Sequence, residues 1–188
     1  GEGRLCIKYP WPSIARTIWG DHKRYKETYF SAYPGYYFTG DGARRNKDGM
    51  YRITGRVDDV IIVSGHNLGT APIEDAINEH DEIAESAIVG FPHDIKGNAL
   101  YGFVTTKTEA KDEEQLKKDI NALISAKIGP IAKLDKIQFT SGLPKTRSGK
   151  IMRRILRKIA EGNLSDFGDI STLINPEVVE QIKDGREK

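Results

Sequence analysis

Three short stretches hold the residue types that could do chemistry. In Tyr37-Phe38-Thr39-Gly40-Asp41-Gly42 a carboxylate ends a strand-like run and lies between glycines. One carboxylate can accept from two hydroxyls, so Asp41 suits a diol such as ribose. A turn aspartate bonding its own backbone is the plainer reading of the same six residues. The second stretch runs from Gly55 to Gly69, with Arg56, then Asp58 and Asp59, then an apolar run ending in Ser64-Gly65. Arg56 offers a rigid fork for ribose or phosphate oxygens, and Gly65 a backbone without Cβ where another molecule passes closely. Structurally, this stretch also reads as a surface hairpin followed by a core strand. The third is Pro144-Lys145-Thr146-Arg147-Ser148-Gly149-Lys150. It is not a Walker loop: six residues, not four, separate Gly142 from Gly149, and Ile151 follows the lysine. What remains is a lysine on a Ser-Gly turn ahead of a helix, able to reach into a cleft, or else a solvated basic loop.

These stretches need elements to position them. Residues 3–9 (GRLCIKY) read as a strand, and the segment to Ala43 holds aromatics and turn formers with no long helical stripe. Asp48-Gly49 between short strand-like runs is hairpin chemistry. The first third is therefore expected to be antiparallel β. The character changes near Asp58-Asp59. Thr70 is expected to cap a helix that tolerates Pro72 in its first turn, with Glu74 and Asp75 facing the positive dipole end and Ile73, Ala76 and Ile77 buried. AESAIVGF and ALYGFVTTK follow as strands. Asp112 and Gln115 suggest a capping box for a helix burying Leu116, Ile120, Leu123, Ile124 and Ile128, which Gly129-Pro130 ends. DKIQFT is a third strand, Ile151 to Ala160 a further helix, and a short helix can follow Asn175-Pro176. The fold class implied is α+β: a small domain with a three-stranded sheet core and packed helices, residues 59–188. Residues 1–58 read as the β-rich end of a larger domain, too small to hold a complete core.

Composition narrows the function classes. The chain has 188 residues, 38% hydrophobic and 30% charged, with a net charge of +2, which suits a soluble globular protein and not a general polyanion binder. No apolar run reaches the roughly 18–20 residues that span a bilayer. No charged-then-apolar leader opens the sequence, so a cytoplasmic setting is expected. The one cysteine, Cys6, leaves no internal disulfide or cysteine-based zinc site and is expected to be a buried thiol. The basic excess is local: residues 143–160 carry seven basic side chains and no acid. A nucleic-acid module and a membrane-surface helix both compete for that stretch. The near-zero net charge and the lack of interleaved aromatics oppose the first. The apolar face of 151–160 is needed for the helix's own core, which opposes the second. The expected partners therefore include neither nucleic acid nor membrane.

Taken together and in order, the Tyr-x-Thr-Gly-Asp, Gly-Arg-x-Asp-Asp and Pro-Lys-Thr-x-Ser-Gly-Lys elements resemble the adenylate-forming acyl-CoA synthetase superfamily. TIWGDHKRYKETYFS, SGHNLGTAPIEDAI and LPKTRSGKIMRRILRKIA resemble its branch of AMP-forming acetate–CoA ligases. The resemblance covers almost the whole chain and implies the C-terminal part of such an enzyme, whose own N-terminal domain would carry the phosphate loop and acyl pocket. It implies a two-step reaction: acetate and ATP with Mg²⁺ give acetyl-adenylate and pyrophosphate, then coenzyme A displaces AMP. A ligase for propionate or a related short acid, or a carrier-loading adenylation domain, is the alternative within the superfamily.

The same resemblance implies roles. Lys150 would be catalytic in adenylation and a site of acetylation, with a lysine acetyltransferase and deacetylase as partners. Asp41, Arg56 and Asn67 would bind nucleotide, and Asp58 would be the hinge. Ser64, Gly65 and Ser125 would meet CoA. Relatives also place a cation on carbonyls near Asn78, His80 and Ile83. The chain departs from the family pattern at three places: Asn67 where arginine is usual, Ser125 where a basic residue is usual (Lys127 being a substitute), and Pro72 where an acid is common. A mobile arm, Lys145 to Lys150, is expected on a helix whose Arg153, Arg154, Arg157 and Lys158 form a solvated face.

Overall fold

A three-stranded antiparallel sheet organises the first sixty residues. In the computed structural model, which describes residues 1–108 and 112–187, β1 (Glu2–Ile7) pairs with β2 (Tyr37–Arg45), and β2 pairs with β3 (Tyr51–Arg56). The expected Asp48-Gly49 turn closes the β2–β3 hairpin, with Asp48 Oδ1 accepting the Met50 N–H at 3.2 Å. Between β1 and β2 lies a helix absent from the sequence expectation, α1 (His22–Phe30). Asp21 caps it by accepting the Arg24 N–H at 2.9 Å. Its inner face is aromatic: Tyr25 is buried, and Tyr29 stacks on Tyr37 with centroids 4.9 Å apart. Cys6 is half-buried, not fully buried as expected.

The chain divides into two compact units, Gly1–Val60 and Ile61–Lys188. The second opens with a tight hairpin, β4 (Ile61–Val63) and β5 (His66–Leu68), in antiparallel register. Its two loop residues, Ser64 and Gly65, both have positive φ, 48° and 81°, as a type I′ hairpin turn requires. Helix α2 (Thr70–Asn78) follows with Gly69, not Thr70, at the N-cap position; Thr70 is buried in the first turn. Ile73, Ala76 and Ile77 are buried as the spacing implies.

Strands β6 (Ile83–His93) and β7 (Gly97–Thr106) form the long central hairpin, and after α3 (Glu113–Lys127) the strand β8 (Lys136–Phe139) adds parallel to β7. The sheet has five strands in place of the expected three. β6 occupies one edge of β7 along its length, while β4 and β8 share the other, meeting it at Gly97 and at Tyr101–Val104. Asp112 caps α3 by accepting the Gln115 N–H at 2.9 Å, but the Gln115 amide donates to Asp119, so only half of the capping box forms. Leu116, Ile120 and Ile124 are buried, whereas Leu123 is half-buried and Ile128 exposed.

Two further helices close the unit: α4 (Arg153–Glu161) and α5 (Glu177–Asp184). Helix α4 starts later than expected because Ile151 bridges to Lys145 and Met152 is the N-cap. Side-chain alternation along β6 and β7 explains their nearly continuous apolar sequence. Ile88, Leu100 and Val104 pack with α2 and α3, while Ala87, Val89, Tyr101 and Phe103 pack with α4 and α5. The sheet is thus covered on both faces, an α+β unit of three layers. Among the described residues no helix is long and apolar enough to cross a membrane.

Candidate functional site

The residues singled out by the sequence fall into five places. In the first unit, Asp41 and Arg56 are paired across the β2–β3 register. Arg56 Nη1 lies 3.7 Å from Asp41 Oδ1 and donates to the Thr39 carbonyl at 3.2 Å. Arg56 Nε donates to Asp58 Oδ1 at 3.0 Å. That bond is the main cause holding the guanidinium pKa above its ordinary value, burial opposing it and the charges of Asp58, Asp41 and Asp59 adding to it. Gly40, at φ 82°, lies against this fork: a Cβ there would sit 2.7–2.9 Å from the guanidinium. Thr39 braces the turn, donating from Oγ1 to the Leu5 carbonyl and accepting the Asp41 N–H. The product is a carboxylate and a five-donor fork fixed side by side, a pairing able to bind a diol and an adjacent phosphate. Asp58 itself lies in a 3₁₀ turn, Val57–Asp59, near the end of this unit. Its bond to Arg56 was not foreseen from the sequence, nor was the bracing role of Thr39, although Thr39 stands inside the motif.

In the second unit the β4–β5 turn presents Ser64, Gly65 and, on the strand beyond, Asn67, all exposed. The turn is pinned from behind, because the Ser64 N–H donates to the Lys96 carbonyl at 2.9 Å and Asn98 Nδ2 donates to the Ile62 carbonyl at 3.1 Å. A Cβ built on Gly65 meets nothing within 4 Å, so the glycine answers to φ here and leaves open space in front of it. Ser125 belongs to another element. It sits half-buried on α3, its hydroxyl donating to the Asn121 carbonyl at 2.8 Å. Lys127, the expected substitute cation, is ion-paired with Glu79.

The carbonyl trio Asn78, His80 and Ile83 spans the α2–β6 connection. The His80 carbonyl accepts the Ile83 N–H at 3.0 Å, and His80 Nδ1 accepts the Glu82 N–H at 3.3 Å. Among the described residues no three His, Cys, Asp or Glu side chains converge in a manner suited to a metal.

Lys150 is exposed near the end of a hydrogen-bonded hairpin. Thr146 N–H donates to the Lys150 carbonyl (2.9 Å), Lys150 N–H to Thr146 Oγ1 (3.2 Å), and Gly149 N–H to the Thr146 carbonyl (2.8 Å). Thr146, Arg147, Ser148 and Lys150 share an open concavity with Ser171 and Thr172. The stem is not the loose arm expected: Lys145 Nζ reaches Glu85 on β6 at 2.6 Å and its backbone is bonded on both sides.

The basic face of α4 is also corrected. Arg153 bonds Glu74 at 2.5 Å, Arg154 donates to the carbonyls of Phe167 and Asp169 at 2.6 Å each, and Lys158 bonds Asp166. Glu74, expected near the helix dipole, is instead buried, accepting the Ile88 N–H at 2.8 Å as well as Arg153. These cations have partners within the chain, although Arg154 itself remains exposed. No sequence signal links residue 74 to 153 or 85 to 145, since the pairs meet only through the fold.

With this geometry in place, the comparisons with known proteins are specific. Residues 72–150 match the AMP-binding enzyme C-terminal domain. Acetyl-coenzyme A synthetase of Alkalilimnicola ehrlichii is 59% identical over 98% of this chain and 29% of its own length. The enzyme of the same name from Rhodobacter capsulatus is 59% identical over 98% of this chain and 28% of its own length. The chain therefore spans less than a third of the curated relatives it matches. In three dimensions it is similar to acetoacetyl-CoA synthetase from Streptomyces lividans, with a TM-score of 0.82 and 24% identity over 98% of this chain and 28% of that one, a likeness of fold. Residues 72–150 thus belong to the AMP-binding enzyme C-terminal domain family, and almost the whole chain is similar to part of the acetyl-coenzyme A synthetases.

Proposed function

We propose that the chain is the C-terminal part of an AMP-forming acetate–CoA ligase, with residues 1–58 ending the large adenylation domain and 59–188 forming a mobile C-terminal domain. The whole enzyme converts acetate and ATP to acetyl-adenylate and pyrophosphate, then passes the acetyl group to coenzyme A with release of AMP. The observation that carries this reading is the 59% identity, over nearly the entire chain, to proteins named acetyl-coenzyme A synthetase.

In the first step, acetate attacks the α-phosphorus and negative charge gathers there. The Lys150 ammonium, exposed on its braced hairpin, stabilises that charge. Asp41 accepts from the two ribose hydroxyls, and Arg56, already fixed by Asp58 and Thr39, offers its remaining N–H groups to ribose or phosphate oxygens. Asn67 adds a neutral hydrogen bond to the nucleotide. In the second step the C-terminal domain turns about Asp58 and brings the Ser64-Gly65 turn to the pantetheine passage, where the open space before Gly65 admits the thiol arm. Ser125, engaged with its own helix, and Lys127, paired with Glu79, are at most weak contacts for CoA. Mg²⁺ enters on the ATP phosphates; a cation on the Asn78, His80 and Ile83 carbonyls would have to share the His80 carbonyl with the Ile83 N–H. Consumption of ATP and CoA fits the cytoplasm. Acetylation of Lys150 by an acetyltransferase removes the working charge, and a deacetylase restores it.

The test is Lys150→Ala in the full-length enzyme. Acetate-dependent ATP–pyrophosphate exchange should fall by roughly 10²–10³-fold, while thioester formation from supplied acetyl-adenylate continues. Equal loss of both half-reactions would refute the assignment.

A further inference from the structure

The stem of the Lys150 hairpin is the middle of three short extended segments, and the third comes from far along the chain. On one side Ile151 bridges to Lys145, and the Met152 N–H donates to the Pro144 carbonyl at 2.8 Å. On the other side Leu173 bridges to Thr146, and the Ile174 N–H donates to the Lys145 carbonyl at 3.0 Å. Asn175 completes this edge with its side chain. Its Oδ1 accepts the Lys145 N–H at 3.2 Å and its Nδ2 donates to the Leu143 carbonyl at 2.9 Å. The amide thereby grips the backbone on both sides of Pro144, a residue that has no N–H of its own.

We infer that the segment Ser171–Asn175 belongs to the lysine's working site, with Asn175 the positioning residue that sets where the Lys150 hairpin stands. The inference rests on the catalytic reading of Lys150. Three observations carry it. The stem has lateral bonds to this segment and to the Ile151–Met152 side. The side chain of Lys145 adds a separate anchor, to Glu85 on β6. Ser171 and Thr172, on the same segment, line the concavity that holds Lys150. A lysine acts on a transferring phosphoryl centre only from the correct position, and a shift of about 1 Å can cost on the order of 10²-fold in rate. An amide that only started the following helix would have no need to hold residues 143 and 145 together.

The test uses the full-length enzyme carrying Asn175→Ala and Asn175→Asp, beside Lys150→Ala. Asp keeps the acceptor for Lys145 and loses the donor to Leu143. The expected result is a drop of about 10- to 100-fold in ATP–pyrophosphate exchange for Asn175→Ala and a smaller drop for Asn175→Asp. Thioester formation from supplied acetyl-adenylate should stay within about twofold in both. Parallel loss of the two half-reactions, or loss of neither, overturns the inference. If Asn175→Ala does not fold, Asn175→Asp is judged by the same split. Should Lys150→Ala leave exchange intact, the catalytic reading falls and this inference with it. Should Lys150→Ala abolish exchange while Asn175→Ala leaves it intact, only the positioning role falls.

Discussion

Glu74 offers the sharpest stability experiment, because one carboxylate serves two elements. Its side chain is 11% exposed and that of Arg153 25%, so the pair is part-buried and the cost of breaking a fully buried pair is an upper bound for it. Glu74→Ala strips the Ile88 N–H of its acceptor, a loss of about 1–3 kcal/mol for a buried donor. It also leaves the Arg153 guanidinium without this carboxylate, and breaking a buried pair typically costs about 3–5 kcal/mol. The two costs overlap, since both arise from one removed group, and a total of about 4 kcal/mol is expected. Domains have only about 5–15 kcal/mol in hand, so the change is severe. Glu74→Gln should lose about half as much, because its carbonyl oxygen can still accept from Ile88 while the charge facing Arg153 is gone. The assay is urea unfolding of the 188-residue chain followed by far-UV circular dichroism, since both tryptophans, Trp11 and Trp19, lie in the first unit. With a slope of about 1.5 kcal/mol/M, Glu74→Ala should lower the midpoint of the second unit by roughly 2–3 M. Combining Glu74→Gln with Arg153→Met should cost less than the sum of the singles by about 1 kcal/mol or more. A loss under about 1 kcal/mol for Glu74→Ala, or strict additivity in the double variant, would refute the bridging role.

Two further outcomes are expected. Gly65→Leu in the full-length enzyme should spare ATP–pyrophosphate exchange and cut thioester formation, with a backbone strain of about 1–2 kcal/mol at φ 81°; unchanged thioester formation would remove the turn from the CoA path. The second concerns alkaline pH. Burial, the largest cause, raises the Tyr101 pKa above 10.0, and the bond to Glu187 is the largest cause raising Lys117 above 10.5. Both groups bind protons more tightly when folded, so their contribution is whole below pH 10 and lost as pH climbs through the folded values. Tyr101→Phe should flatten the part of the alkaline unfolding profile that begins near pH 10; a profile identical to the parent's would sink that assignment.

Legibility from sequence followed the length of each signal. β6, β7 and β8 were readable because apolar runs bounded by turns persist for several residues, and α3 because Leu116, Ile120 and Ile124 repeat at helical spacing. Helix α1 escaped because its inner face is Tyr25, Tyr29 and Phe30, whose hydroxyls and neighbouring lysines dilute any apolar stripe. Of the β4–β5 hairpin only the apolar run of β4 was readable, as a core strand; β5 escaped because three residues hold barely more than one two-residue period. At the site, Asp41, Arg56 and Lys150 were visible as motif residues, since motifs are local. Glu74, Glu85 and Asn175 were not, because their partners lie between 14 and 79 residues away and meet them only after folding. The basic run in α4 misled for the same reason: charge is written in the sequence, whereas its pairing with Glu74 and Asp166 and its hydrogen bonds to two distant carbonyls are not.

The sheet that carries the Ser64-Gly65 turn also carries the Lys150 hairpin. Ser64 hangs from the β6–β7 connection through the Lys96 carbonyl, β7 pairs with β6 along its length, and Glu85 on β6 holds Lys145. The turn and the hairpin are therefore welded to one plate, and neither can be displaced as a whole without carrying the other along. Under the proposed two-step reaction, exchange of one for the other would be a matter of orientation of the plate, like turning a two-headed key. A substitution that softens the β6–β7 hairpin would blur both steps together, whereas changes at either tip should touch one step alone.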